Sequence, residues 1–113
     1  MSRSVDPTPA KLATLDPRLR GPVVALLNFV RSQGVPLIVI SGRRSATRNR
    51  EIGGARRSKH LMGRAVDVQV QGLLREQVPL QYWHWMGSVG EFYGLRWGGR
   101  FRTPDLNHFD AGA

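Results

Sequence analysis

The sequence predicts a small α+β domain, in which helices pack on one side of a short, mostly antiparallel sheet. Three observations point to this fold class. Apolar residues recur at helical spacing over 17–33, a β-branched run follows at 37–40, and polar and apolar residues alternate over 64–70. With 113 residues, the chain is long enough for one compact core and too short for two. We therefore expect a single domain over residues 15–113.

The first fourteen residues are predicted to be a loosely held arm. They are rich in Ser, Pro, Thr and Ala and show no periodicity. A helix is then predicted to begin at Asp16 and Pro17, because the carboxylate can accept an unpaired backbone N–H and proline fits the first helical position. Gly34 supplies the stop signal. The apolar positions of this helix are Leu19, Val23, Leu26, Leu27 and Val30.

Two segments are predicted to form strands. The run 37–40 is short and β-branched and is closed by Ser41 and Gly42, which favours a buried strand. In the segment 64–70, the valines at 66, 68 and 70 share one face. Asp67 is therefore expected on the opposite face. The arginine-rich stretch 43–59 between these strands is assigned to the surface, with a short helix around 47–52.

A second core helix is predicted after Pro79 and is expected to end at Gly94. Its apolar stripe is predicted to be Tyr82, Trp85, Val89 and Phe92, and its polar side Gln81, His84, Ser88 and Glu91. Segments 95–97 and 107–109 are candidate short strands. Three tryptophans, Trp83, Trp85 and Trp97, are interpreted as core anchors and not as sugar-stacking residues.

Composition narrows the function. The chain has no cysteine, which excludes disulfides, thiolate zinc sites and a cysteine nucleophile. Seventeen basic residues, fifteen of them arginine, against eight acidic ones give a formal charge of +9. This excess predicts an anionic partner, either a nucleic acid or a polyanionic surface such as a bacterial envelope. No standard nucleic-acid motif, export signal or membrane-spanning apolar run is recognisable.

Two histidines and two aspartates could form a catalytic metal site. Catalytic zinc keeps three protein ligands from N and O donors and leaves the fourth position open, and His60, Asp67 and His108 would make that set. Gly63 permits a tight turn between His60 and Asp67, so that both can point at one ion. Asp105 lies three residues before His108, where it could move a proton without being a ligand. On the residues alone, histidines are more often solvated or core side chains than ligands, and an aspartate beside a turn is usually a cap.

The sequence resembles a known family in motifs that run in family order from Ser41 to Phe109. Residues 58–67 match Ser-x-His-x-x-Gly-x-Ala-x-Asp, the first zinc motif of the zinc D,D-carboxypeptidase and L-alanyl-D-glutamate endopeptidase family, which cleaves peptidoglycan. Residues 41–45 are similar to its Ser-Gly-Tyr-Arg-Ser segment, and 49–58 to the Gly-Gly-containing link that follows. Trp-Gly-Gly at 97–99 and Asp-x-x-His-Phe at 105–109 are similar to its closing motifs.

The resemblance implies a hedgehog-like or D,D-peptidase-like fold and one zinc ion per chain, held by His60, Asp67 and His108. It implies that Asp105 is the general base, and that Arg44 steadies the oxyanion or a substrate carboxylate. His84 is the competing third ligand, but its place on the polar side of its helix favours an exposed side chain. Arg43 departs from the family's tyrosine, and position 100 is arginine where many relatives are acidic.

These observations together predict a zinc metallopeptidase that hydrolyses a peptide bond in the stem peptides of bacterial cell wall, as a phage endolysin does. We expect a soluble monomer that is cytoplasmic in the producing cell and acts on peptidoglycan after release, without specific nucleic-acid binding or membrane insertion. The alternatives are a metal-stabilised wall-binding module, a basic nucleic-acid binder, or a bacterial carboxypeptidase that remodels its own wall. The sequence leaves open which bond is cleaved.

Overall fold

The computed structural model describes residues 6–43 and 62–112. In chain order, these residues form α1 (Thr8–Leu12), α2 (Pro17–Ser32), β1 (Leu37–Ser41), β2 (Ala65–Val70), α3 (Leu80–Phe92), β3 (Arg96–Trp97) and β4 (His108–Asp110). Short 3-10 turns lie at Arg75–Gln77 and Gly98–Arg100. The predicted helix around 47–52, together with Arg44 and His60, lies outside the described residues.

The four strands form one sheet in the order β1-β2-β4-β3, and every neighbouring pair is antiparallel. This confirms the predicted α+β class and the mostly antiparallel sheet. Val66, Val68 and Val70 are buried and belong to the core cluster that also includes residues of α2 and α3. The pleat turns Asp67 to the other face, where the register places it opposite His108.

Helix α2 follows its local sequence signals closely. The Asp16 carboxylate accepts a hydrogen bond from the Arg18 N–H at 2.9 Å, as expected of an N-cap, and the helix ends at Ser32. The five predicted apolar positions are all buried, so the predicted core face of this helix is confirmed.

Helix α3 has the predicted extent but not the predicted core face. Its buried residues are Trp83, Met86, Gly87 and Gly90. Tyr82 and Phe92 of the predicted stripe are 46% and 84% exposed. Trp85 and Val89 are only partly buried. The predicted stripe was wrong because the two glycines admit aromatic rings to the helix backbone, a packing that a hydrophobicity pattern does not register. A Cβ on Gly87 would lie 2.2 Å from the Trp97 ring.

The segment predicted as a loose arm has regular structure within residues 6–14. Helix α1 places Thr8 in a buried position against the outer edge of β1. The Thr8 hydroxyl accepts a hydrogen bond from the Val39 N–H at 2.8 Å. This contact satisfies a backbone donor on an edge strand that the sheet itself leaves unpaired. The domain boundary at residue 14 stays a prediction.

The three tryptophans differ in how deeply they are buried. Trp83 and Trp97 are fully buried, which confirms that these two are core anchors, whereas Trp85 is only partly buried.

Within the described residues, no helix combines the length and the apolar character needed to span a membrane.

Candidate metal centre

Strands β2 and β4 bring together two of the three predicted ligands. Asp67 and His108 are paired across the antiparallel ladder. The His108 Nδ1 atom lies 3.6 Å from the Asp67 Oδ1 atom. Neighbouring side chains on one face of an antiparallel pair are close by construction, so the register alone produces this approach.

Asp105 joins the pair from the turn that precedes β4. Its backbone N–H donates to the Gly98 carbonyl at 2.8 Å, and its own carbonyl accepts from the His108 N–H at 3.2 Å. A Cβ on Gly98 would stand 2.3 Å from the Asp105 carbonyl oxygen, so this turn needs a glycine there. The Asp105 carboxylate, 42% exposed, consequently places Oδ2 4.0 Å from His108 Nδ1.

The three side chains fit a small metal ion. Their ligand atoms all lie within 4.8 Å of one another. Two ligands of a tetrahedral zinc at ~2.0 to 2.2 Å are separated by roughly 3.3 Å, so the 3.6 Å between His108 and Asp67 needs little adjustment. The donors are one imidazole nitrogen and carboxylate oxygens, which zinc accepts. Asp105 lies slightly farther from His108 Nδ1 than Asp67 does, at 4.0 Å against 3.6 Å, and its carboxylate is more exposed.

A buried carboxylate holds the other side of the His108 ring. Asp110 is fully buried, and its Oδ2 atom lies 2.7 Å from His108 Nε2. A carboxylate can only accept, so Nε2 donates and Nδ1 is directed to Asp67 and Asp105. Arg96 binds both oxygens of Asp110, at 2.8 to 3.2 Å, and the Gly112 N–H donates to Oδ1 at 2.7 Å.

The aromatic ring of Phe101 covers this ion pair. The Arg96 guanidinium carbon lies 4.7 Å from the centroid of the Phe101 ring, and the ring itself is 5.3 Å from the His108 ring. A carboxylate bound to one ring nitrogen, with the other nitrogen directed to possible ligands, is the arrangement that orients histidines in known metal sites. Sequence analysis assigned no role to Asp110 or Arg96. The only available signal was the placement of Asp110 two residues after His108, on the same face of a strand.

The pKa values of the two partners move in opposite directions. Burial by itself lowers the pKa of His108, but hydrogen bonds to Asp110 and Asp67 outweigh it and raise the pKa to about 9 in the metal-free protein. Burial by itself raises the pKa of Asp110. Hydrogen bonds from His108, Arg96 and the Gly112 N–H hold it well below its ordinary value. Without a metal, the two groups therefore form an ion pair.

The other predicted site residues divide into two groups. His60 and Arg44 lie outside the described residues, so their roles stay predictions. His84 is exposed and packs edge-on against Trp97, with 5.2 Å between ring centroids, and it is not part of the Asp67, Asp105 and His108 cluster. This agrees with its interpretation as a surface residue.

One further basic residue reaches the site. The Arg75 Nη1 atom lies 3.4 Å from Asp105 Oδ1 and 3.4 Å from Asn107 Oδ1. Arg75 belongs to the 3-10 turn between β2 and α3, thirty positions before Asp105. Nothing in the local sequence distinguishes it from the other arginines, so sequence analysis missed it.

Comparison with known proteins gives a family match. The family model described as peptidase M15 matches residues 13–96. A search of curated protein sequences finds no significant match.

Several solved structures are similar over most of the chain. The crystal structure of the L-Ala D-Glu endopeptidase ChiX from Serratia marcescens is 26% identical, with a TM-score of 0.76, over 96% of this chain and 89% of that one. The vancomycin-resistance D,D-pentapeptidase VanY, solved as an E175A mutant with Zn(II), is 19% identical, with a TM-score of 0.68, over 87% and 73%. The LD-carboxypeptidase LdcB is also 19% identical, with a TM-score of 0.66, over 85% and 64%.

Proposed function

Because this chain belongs to the peptidase M15 family, we propose that it is a zinc metallopeptidase that hydrolyses a peptide bond in the stem peptides of bacterial peptidoglycan. The observation that carries the proposal is the convergence of Asp67, Asp105 and His108 on one face of the sheet, with ligand atoms within 4.8 Å. The 26% identical endopeptidase, matched over nearly its whole length, supports the substrate class.

In this proposal, His60, Asp67 and His108 hold one zinc ion per chain. When bound, zinc supplies Lewis-acid polarisation of the scissile carbonyl and makes a water molecule more acidic. Asp67 and His108 are held by the β2–β4 ladder, so their donor atoms are placed before any metal arrives. The hydrogen bond between Asp110 and Nε2 keeps the His108 ring oriented with Nδ1 toward Asp67 and Asp105.

Asp105 is proposed to be the general base. Its carboxylate is partly exposed and faces the same space as His108 Nδ1, so water and substrate have access to it. It would accept a proton from the attacking water and return it to the leaving amine. Backbone hydrogen bonds to Gly98 and His108 fix the Asp105 main chain. The carboxylate is thereby kept within reach of the attacking water and the leaving amine. Arg44, through the family resemblance, is proposed to offset negative charge that develops on the carbonyl oxygen.

The bond cleaved and the biological setting are finer parts of the proposal. We favour the L-Ala–D-Glu bond as the first to test, since the most similar structure named above is an L-Ala D-Glu endopeptidase. A D,D-peptidase activity is the second candidate. We further propose a lytic role of the phage endolysin type, because a net charge of +9 favours adhesion to an anionic wall. Mass spectrometry of digested muropeptides identifies the bond.

The test of the mechanism is Asp105→Asn, which preserves shape and removes the proton acceptor. We expect this variant to fold and to bind zinc, while turnover of a soluble muropeptide falls by roughly 10²- to 10⁴-fold. Asp67→Asn is the matched comparison and should lose zinc together with activity. Zinc content, thermal midpoint and cleavage rate are measured on both.

Two outcomes would contradict this assignment. Near-normal turnover of Asp105→Asn with zinc bound would make Asp105 a turn residue, because asparagine fills that role nearly as well. Loss of zinc from Asp105→Asn would make it a ligand. A wild-type chain that binds zinc and walls but cleaves no muropeptide would favour the non-catalytic binding module instead.

A further inference from the structure

A groove of about 270 Å³ is lined in part by Arg75, which reaches Asp105 of the candidate metal centre at 3.4 Å. Its lining includes Ile40, Gln69, Leu73, Leu74, Arg75 and Asn107. Two of its apolar members are open to solvent, with Leu74 58% exposed and Ile40 38% exposed, while others, such as Val68 and Trp83, are buried. The groove therefore combines apolar walls with the Arg75 cation, the Asn107 amide and one carboxylate, Glu76, and Arg75 and Asn107 are in contact with each other.

The Arg75 guanidinium is only loosely engaged. Its contacts with Asp105 and Asn107 are both long, at 3.4 Å, and both use Nη1. Among the described residues, its Nε and Nη2 atoms have no hydrogen-bond partner. The side chain is 53% exposed. A guanidinium with an unused fork of donors beside a reactive site is suited to bind a carboxylate in a bidentate manner.

The backbone that carries Arg75 is held in place. The Arg75 carbonyl accepts a hydrogen bond from the Trp83 indole N–H at 3.1 Å, and Trp83 is buried in the core. Before it, the Leu73 carbonyl accepts from the Gln69 side chain at 2.9 Å, and the Leu74 N–H donates to the Gln77 side chain at 2.7 Å. The loop thus presents Arg75 from a preorganised position, which lowers the entropy cost of binding.

We propose that this groove is a substrate subsite in which Arg75 binds a free carboxylate of the stem peptide, so that Arg75 determines specificity. This inference rests on the proposed function. Stem peptides carry free carboxylates beside their peptide bonds, at the D-Glu α-carboxylate and at the C-terminus. Without substrate, the guanidinium rests on Asp105 and Asn107; with substrate, its open donors bind the carboxylate and the alkyl side chains of the peptide lie along the apolar walls.

The competing role for Arg75 is to position Asp105 alone. The two roles differ in what they do to KM and kcat. A carboxylate-binding residue affects mainly KM, and only for substrates that carry the carboxylate. A residue that orients the general base affects kcat for every substrate.

The experiment compares three soluble peptides of the same sequence: one with both carboxylates free, one amidated at the D-Glu α-carboxylate, and one amidated at the C-terminus. Wild type, Arg75→Met and Arg75→Lys are assayed on each at fixed zinc concentration. The control variant is Arg18→Met, which removes an exposed arginine that also pairs with an aspartate, Asp16, but is not part of the groove. Zinc content and thermal midpoint are measured for every variant.

We expect Arg75→Met to raise KM roughly 10- to 100-fold for the two peptides in which the carboxylate bound by Arg75 is free, with kcat nearly unchanged. A lost hydrogen bond to a charged group has about that effect. The variant and the wild type should then be nearly equal on the peptide amidated at that carboxylate, which also identifies the carboxylate. Arg75→Lys should recover part of the loss, and Arg18→Met should behave as wild type.

The inference is overturned if wild type cleaves all three peptides and Arg75→Met loses the same factor on each, or loses nothing. A uniform loss in kcat would assign Arg75 to positioning Asp105. Failure of the proposed function looks different, since wild type would then cleave none of the three peptides.

Discussion

The two nitrogens of the His108 ring face carboxylates with different surroundings. Nδ1 faces Asp67 and Asp105, both partly exposed, while Nε2 faces Asp110, which is buried and bound by Arg96. Asp110 itself is fully buried and therefore cannot contact substrate directly. Its physical effect is to fix the ring orientation and the tautomer, which determines which nitrogen is available to a metal.

Asp110→Asn is therefore expected to weaken zinc binding without removing a proposed ligand. The asparagine keeps the shape of Asp110 but not the charge that holds the His108 N–H. We expect zinc affinity to fall by about 10- to 100-fold, the usual effect of removing such a partner. Competition with a chelator of known affinity gives the measurement.

The matched control is Glu91→Gln. Glu91 is also bound by an arginine through both oxygens, at 3.0 Å from Arg100 Nε and Nη2, but it lies on the surface of α3. It should leave zinc affinity unchanged. Equal affinities for wild type and Asp110→Asn would show that Asp110 stabilises the fold and has no role in metal binding.

The raised pKa of His108 predicts how the metal-free protein responds to pH. The pKa is about 9 in the folded chain against 6.5 as the ordinary value. The protonated ring thus contributes stability that is fully present below pH 6.5 and is lost as pH rises through 9. Thermal midpoints of chelator-treated protein between pH 6 and pH 10 should show this decline. In Asp110→Asn the decline should be shallower; an equally steep decline in that variant would contradict the assigned cause.

At the scale of elements, helix α3 shows why apolar periodicity misplaced a core face. Its core face combines Trp83 and Met86 with two glycines, against which the rings of Trp97 and Phe109 lie. Glycine contributes nothing to a hydrophobicity pattern, so the pattern followed the large residues on the neighbouring face. Several of these are exposed, since apolar residues occur commonly on protein surfaces.

Gly90→Ala is predicted to destabilise the fold, although alanine is the better helix former. The added Cβ would lie 2.4 Å from the Phe109 ring, so the ring or the helix must shift. We expect a loss of about 1–3 kcal/mol in the free energy of unfolding, the usual effect of overpacking a core. Urea denaturation provides the measurement.

Gly21→Ala in helix α2 is the comparison for this prediction. Apart from the adjacent residues and the backbone of the helix itself, no atom lies within 4 Å of the added Cβ, so only helix propensity changes. This variant should gain about 0.5–1 kcal/mol. A gain of the same size for Gly90→Ala would contradict the proposed ring contact.

At the scale of the whole molecule, the net charge of +9 should govern binding to intact walls more than it governs chemistry. Exposed charges act over a Debye length of ~8 Å at physiological ionic strength and are screened further by added salt. We expect salt to reduce hydrolysis of intact walls much more than hydrolysis of a soluble muropeptide. Parallel salt titrations on the two substrates test this, and equal sensitivity would rule out electrostatic adhesion as the role of the charge.

The sequence alone was sufficient for features that depend on neighbours along the chain. The start of α2 at Asp16, its five buried residues and the outward placement of Asp67 follow from capping, helical spacing and strand alternation, which link residues within a few positions. Its motifs also identified the family and the pairing of Asp67 with His108 at one site. The roles of His60 and Arg44 stay predictions.

Only the tertiary structure decided the surroundings of that site. Arg96 binds Asp110, which lies fourteen positions later in the sequence, and Arg75 binds Asp105, which lies thirty positions later. Which of fifteen arginines approaches a given carboxylate depends on strand order and on how the 3-10 turn is held, and no local pattern encodes either. The glycine face of α3 has the same origin, because close ring packing is a property of the partner surfaces and not of either sequence segment by itself.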